Sequence, residues 1–164
     1  MSALNNFEIK TLISHLWKDY TAMTPQAEHI QTMLRERGEE CNNDHIAIRT
    51  FNLAPVGLKA IAKVFLDLGY QYTGEYHFEK KKLYARSYSH PSGEFPRIFI
   101  SELLVEKLSE SAQKTVRKIV SQLRNDVTGK HLLYVQSLWP RVSLEDYDAL
   151  LMESEYAGWL AAFG

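Results

Sequence analysis

The segment Asn43-Asp44-His45-Ile46-Ala47-Ile48-Arg49-Thr50-Phe51 constrains the fold most, because its residue types alternate with the period of a β-strand. Successive side chains of a strand point to opposite faces. His45, Ala47, Arg49 and Phe51 therefore share one face, and Ile46, Ile48 and Thr50 share the other. The second set reads as a buried face. The first set puts an imidazole and a fixed cation on one side, with a small residue between them. At about 3.3 Å per residue, their Cα atoms stand roughly 13 Å apart. A small acid could then be held at one end by a metal on His45 and at the other by the Arg49 guanidinium. Taken alone, His45 is open to two readings, a ligand or a satisfied core or rim residue. Arg49 is equally able to pair with Asp44.

Helical spacing precedes and follows this strand. Ile9, Leu12, Ile13 and Leu16 form an apolar stripe within a helix from about Leu4 to Tyr20. Thr24-Pro25 starts a second helix, with threonine as N-cap and proline at the first helical position. Arg35 and Arg37 lie in its last turn and Gly38 ends it. Leu58, Ile61, Ala62, Phe65 and Leu68 make the stripe of a helix from Pro55 to Leu68, closed by Gly69. Strands are expected next at Tyr70–Phe78, Leu83–Ser89 and Pro96–Leu104, with a turn at His90-Pro91-Ser92-Gly93. The basic run Lys80-Lys81-Lys82 falls between the first two and reads as a solvated hairpin loop. Further helices are expected over Ser109–Asn125, Ser143–Met152 and Ser154–Phe163. The class is therefore α+β. A βαβββ module with a mixed sheet spans 43–105, after N-terminal helices over 1–42 and before a helical segment over 106–164.

Composition narrows the function classes. With 164 residues and 45% hydrophobic content, the chain can build one domain around a real core. Its 19 basic and 20 acidic residues leave a formal charge of −1, which argues against a nucleic-acid partner. Cys41 is the only cysteine, which excludes an internal disulfide and a cysteine-rich zinc site. Met1 to Lys10 has no apolar signal core, and no apolar run is long enough to span a bilayer. A cytoplasmic location, with no membrane partner, is the expectation.

The strand–helix–strand–strand–strand order resembles the repeat of the vicinal-oxygen-chelate architecture. Within it, Asn43 to Phe51, Leu68-Gly69-Tyr70, Lys82-Leu83-Tyr84-Ala85 and Ile98-Phe99-Ile100-Ser101-Glu102-Leu103 occur in that order. On these motifs the chain resembles the 2-oxoadipate dioxygenase/decarboxylase family, iron enzymes that form 2-hydroxyglutarate in lysine breakdown. The resemblance implies a non-haem Fe(II) site of two histidines and one glutamate, which takes a 2-oxo dicarboxylic acid and O₂ and releases CO₂. His45 falls on the first histidine, and Arg49 on the arginine that holds the substrate carboxylate. In the family the second histidine and the glutamate lie beyond the helix that here ends Trp159-Leu160-Ala161-Ala162-Phe163-Gly164. The resemblance thus implies an N-terminal portion with an absent second module, an uncovered apolar helix, and self-association into a homo-oligomer.

Two rival readings stay open. Glu102 lies one module-length after His45, where glyoxalase-type enzymes place a carboxylate, so Glu102 is a second candidate ligand. The pair would suit an isomerase or hydrolase using Zn or Ni. The other rival is a non-catalytic binding module. Tyr84, Arg86 and Tyr88 share a strand face able to line an anion pocket, and His77 is a weaker candidate for the same cavity. His15, His29, His90 and His131 read as surface residues.

Overall fold

The computed structural model describes residues 3–39, 41–135 and 137–164, with side chains from Asn5 onward. Helix α1 (Ala3–Met23) turns into α2 (Pro25–Glu36), and the chain then enters β1 (His45–Phe51). Thr24 occupies the N-cap of α2 without a side-chain hydrogen bond, and Pro25 fills the first turn. Gly38 ends the hairpin of helices at φ +81°, a conformation that favours glycine.

Helix α3 (Leu58–Asp67) follows, then β2 (Gln71–Phe78), β3 (Leu83–Ser89) and β4 (Arg97–Leu103). The expected βαβββ module is present; β2, β3 and β4 lie within a residue of their expected bounds, and β1 starts two residues after Asn43. The four strands run in the order β1-β4-β3-β2. β1 pairs with β4 in parallel, and the other two pairings are antiparallel, so the sheet is mixed. β1 and β2 are its outer strands.

Two apolar cores occupy the two sides of this sheet. On one side Ile98, Ile100 and Tyr88 meet Leu58, Ile61 and Phe65 of α3 and Ile9 and Leu12 of α1. That is the α3 stripe read from the sequence, now seen buried. On the other side Phe51, Leu83 and Leu103 pack on α4 (Glu110–Val120), α5 (Leu144–Glu153) and α6 (Glu155–Phe163). Ser109, Ser143 and Ser154 cap these three helices by accepting from the backbone N–H of Ala112, Asp146 and Ala157. Helix α4 stops earlier than expected, at Val120. The chain then makes a short 3-10 turn over Gly129–Leu133 that the sequence reading missed.

Helix α6 is not the wholly uncovered element that the resemblance implied. Ala157, Gly158, Leu160 and Ala161 are buried, and Trp139 Nε1 donates to the Leu160 carbonyl at 3.1 Å. Trp159 at 39% and Phe163 at 56% keep substantial exposure. A Cβ on Gly158 would come within 2.9 Å of Leu151 Cβ, so the α5–α6 contact needs a glycine at that point.

Candidate functional site

The β1–β4 register assigns the faces. His45, Ala47, Arg49 and Phe51 align with Arg97, Phe99, Ser101 and Leu103, while Ile46, Ile48 and Thr50 align with Ile98, Ile100 and Glu102. Aligned residues share a face. His45, Ala47 and Arg49 are exposed, whereas Ile46 and Ile48 pack against the α3-side core. Phe51 shares the parity of His45 but is wholly buried beside Trp139, at 5.7 Å between rings. The open part of this face therefore ends at Arg49.

A cavity of about 910 Å³ runs along β1 and wraps the strand's free edge. His45, Ala47 and Arg49 line it from one face and Ile46 and Ile48 from the other, with Trp159 of α6 on its wall. The structure thus brings the two leading candidates to one cavity. His45 Nδ1 lies 3.3 Å from Asp44 Oδ2. An Nδ1–H donated to that carboxylate would leave Nε2 open to a metal.

Arg49 is held by ring faces. Its Cζ sits 4.9 Å from the ring centre of Trp159 and 5.6 Å from that of Tyr156. Among the described residues its side chain makes no ion pair or hydrogen bond, so the guanidinium N–H donors are unclaimed. The Tyr156 hydroxyl is 2.7 Å from Ser101 Oγ and donates to the Ser101 carbonyl at 3.2 Å. Burial pushes that hydroxyl's pKa up to about 12, so it stays protonated as a donor. Sequence reasoning missed Tyr156 and Trp159 as neighbours of Arg49. The available signal is their i, i+3 spacing within the helix expected over Ser154–Phe163.

Glu102 belongs to the other face. It aligns with Thr50, and its Oε2 accepts the backbone N–H of Leu58 at 2.8 Å, at the start of α3. The expected pairing of His45 with Glu102 on one metal is corrected by this placement, because the sheet stands between them. Burial raises the Glu102 pKa, and the Leu58 N–H works against that rise.

Tyr84 and Arg86 align with Glu102 and Ile100, so they also face away from His45. Arg86 Nε donates to Tyr84 Oη at 2.5 Å, and that hydroxyl donates to Glu75 at 2.8 Å, an internally satisfied cluster rather than an anion pocket. His77 aligns with Tyr84 on that same face. A bulge between Tyr72 and Gly74 puts Tyr72 and Tyr76 on opposite faces of β2. His90 is no surface residue: it is buried between Tyr70 and Phe95, with Nδ1 2.8 Å from Ser92 Oγ. His15 is half-buried, beside Asp19 at 3.2 Å and Tyr134.

Among the described residues no three His, Cys, Asp or Glu side chains lie close enough together to hold a metal ion. The open face offers one imidazole. None of the described helices is long and apolar enough to cross a membrane.

The sequence profile of the 2-oxoadipate dioxygenase/decarboxylase family matches residues 5–164. The chain belongs to that family. It is 35% identical to the chloroplastic/amyloplastic 2-oxoadipate dioxygenase/decarboxylase of Oryza sativa subsp. japonica, over 94% of this chain and 46% of that protein. The chain spans about half the length of this curated relative. The crystal structure of the Oryza sativa hydroxyglutarate synthase in complex with 2-oxoadipate superposes with a TM-score of 0.92 at 32% identity, covering 100% of this chain and 57% of that one. A Shewanella frigidimarina protein provisionally called a hydrolase gives 0.88 at 44% identity, covering 95% of this chain and 61% of that one. A glyoxalase-superfamily protein from Ralstonia eutropha JMP134 gives 0.81 at 21% identity, over 92% of this chain and 57% of that one, and bears on the fold alone. The mixed four-stranded sheet with its helices is the fold that this chain shares with these three solved structures.

Proposed function

We propose that this chain carries the carboxylate-reading half of a 2-oxo-acid site in an Fe(II)-dependent dioxygenase/decarboxylase that converts 2-oxoadipate and O₂ to 2-hydroxyglutarate and CO₂. The observation that carries the reading is Arg49. It is a guanidinium without a protein carboxylate, standing on a cavity wall on the same face as His45. Such a group binds a carboxylate through two parallel N–H donors and keeps its charge at any working pH.

His45 is one metal donor in this reading, oriented by Asp44. The residues fit that part and no more, since a facial site needs two imidazoles and a carboxylate and the other two donors would lie outside the described residues. A bound Fe(II) would supply the Lewis acidity and the O₂ chemistry. The protein's own contribution is orientation. Arg49 takes the distal carboxylate, Ala47 leaves room between the two ends, and the apolar wall from Ile46 and Ile48 limits water at the free edge of β1. The placement of Glu102 removes support from a glyoxalase-like isomerase that would use His45 and Glu102 on one Zn or Ni.

Oxygen uptake with 2-oxoadipate, Fe(II) and ascorbate tests the whole activity, and calorimetric binding of 2-oxoadipate tests the half assigned to this chain. The expected result is weak binding that Arg49→Lys reduces, with little turnover by the chain alone. Binding that ignores Arg49 would overturn the reading.

A further inference from the structure

Arginine's long side chain samples many rotamers, so a guanidinium poised for a ligand has to be held by something. A carboxylate would hold Arg49 but would also neutralise it and occupy its donors. Aromatic faces do neither. They restrain the guanidinium plane and leave its N–H groups pointing outward. Arg49 has this arrangement, with Trp159 at 4.9 Å and Tyr156 at 5.6 Å.

The holder is itself fixed at two points. Tyr156 is bonded through its hydroxyl to Ser101, the residue aligned with Arg49 on the adjacent strand. Gly158 lies between the two aromatics in sequence and presses against Leu151 of α5, where a methyl group would collide. The first contact sets the distance of α6 from the sheet, and the second sets the helix against its neighbour.

We propose that Tyr156 and Trp159 are positioning residues that clamp the Arg49 guanidinium at a fixed reach from His45, so that α6 sets which length of 2-oxo dicarboxylic acid the cavity prefers. The preference rests on the Proposed function, whereas the clamp itself stands on the geometry of the chain without ligand.

The test separates the two. Relaxation of the Arg49 Nε–H by ¹⁵N NMR, on the ligand-free 164-residue chain, should give an order parameter in the rigid range, about 0.85. Trp159→Leu should drop it below about 0.6, and Trp159→Phe should keep it high. Calorimetry with 2-oxoadipate and with its five-carbon analogue 2-oxoglutarate reads the preference. Trp159→Leu should reduce the affinity ratio between the two acids roughly threefold to fivefold, and Trp159→Phe should restore it. Should Trp159→Leu not fold, Trp159→Gln carries the same expectation, at a position exposed enough to accept it.

A mobile Arg49 in the unaltered chain overturns the clamp. A ratio that Trp159→Leu leaves unchanged overturns its role in selection. If Arg49→Lys leaves dicarboxylate binding intact, or the unaltered chain binds neither acid, the Proposed function falls and the clamp is judged by the NMR result alone.

Discussion

Glu102 Oε2 accepts the Leu58 backbone N–H at 2.8 Å, which ties the end of β4 to the first turn of α3. The position suits a carboxylate, since a helix N-terminus carries partial positive charge. Yet burial is the larger influence and raises the folded-state pKa. A carboxyl whose pKa is higher folded than unfolded holds its proton more tightly in the native state. Its stabilising contribution is complete below the unfolded value and declines as pH rises through the raised folded value. Glu102→Gln removes that decline. Thermal unfolding across the carboxylate range should therefore show the variant gaining on the unaltered chain as pH rises. A difference that does not change with pH would contradict this.

Arg49→Lys keeps the charge and loses the fork. Affinity for 2-oxo dicarboxylic acids should fall about tenfold, near 1.4 kcal/mol, while monocarboxylic 2-oxo acids should be affected much less. Calorimetric titration of both classes checks this, and an equal loss for each would make Arg49 a structural residue.

Anaerobic titration of Fe(II) into the 164-residue chain should show weak binding, because the described residues place a single imidazole on the open face. His45→Ala should abolish it. Asp44→Asn should weaken it by about tenfold, the low end of what an orienting carboxylate contributes. A tight site that survives His45→Ala would place the metal elsewhere.

Gly158→Ala puts a methyl group where Leu151 already stands. Overpacking of this kind costs about 1–3 kcal/mol. Denaturant unfolding should show that loss. Because α6 must move to relieve the clash, the variant should also loosen Arg49, which ring-current shifts of its Hδ protons would report.

The sequence carried the module well because strands and helices are written in short-range periodicity. Leu58, Ile61, Ala62 and Phe65 had to share a helix face, and His45 and Arg49 had to share a strand face, whatever the rest of the chain did. The helix starts expected at Ser109, Ser143 and Ser154 were equally local. What period two could not reveal was the register between strands. Glu102 lies at the right distance along the chain from His45, but alignment with Thr50 rather than Arg49 puts it behind the sheet. Strict alternation would put Tyr72 and Tyr76 on one face, and the bulge after Tyr72, which no pattern announces, separates them. The burial of His90 between two aromatics, and the meeting of Arg49 with Tyr156 and Trp159 more than a hundred residues later, depend on long-range packing that only the folded chain defines.

The alignment of β4 with β1 also marks out where new chemistry could be installed. Phe99 stands across from Ala47 on the open face, midway between the levels of His45 and Arg49, with Tyr76 as its aromatic neighbour at 5.3 Å. Its own neighbours in sequence, Ile98 and Ile100, are completely buried behind the sheet. A designer seeking a two-donor metal site in this scaffold thus finds addresses on β4 at Arg97, aligned with His45, and at Phe99, where Phe99→Glu would put a second donor. The same substitution one residue earlier or later would bury an unpaired charge among the α3 contacts and cost the fold instead.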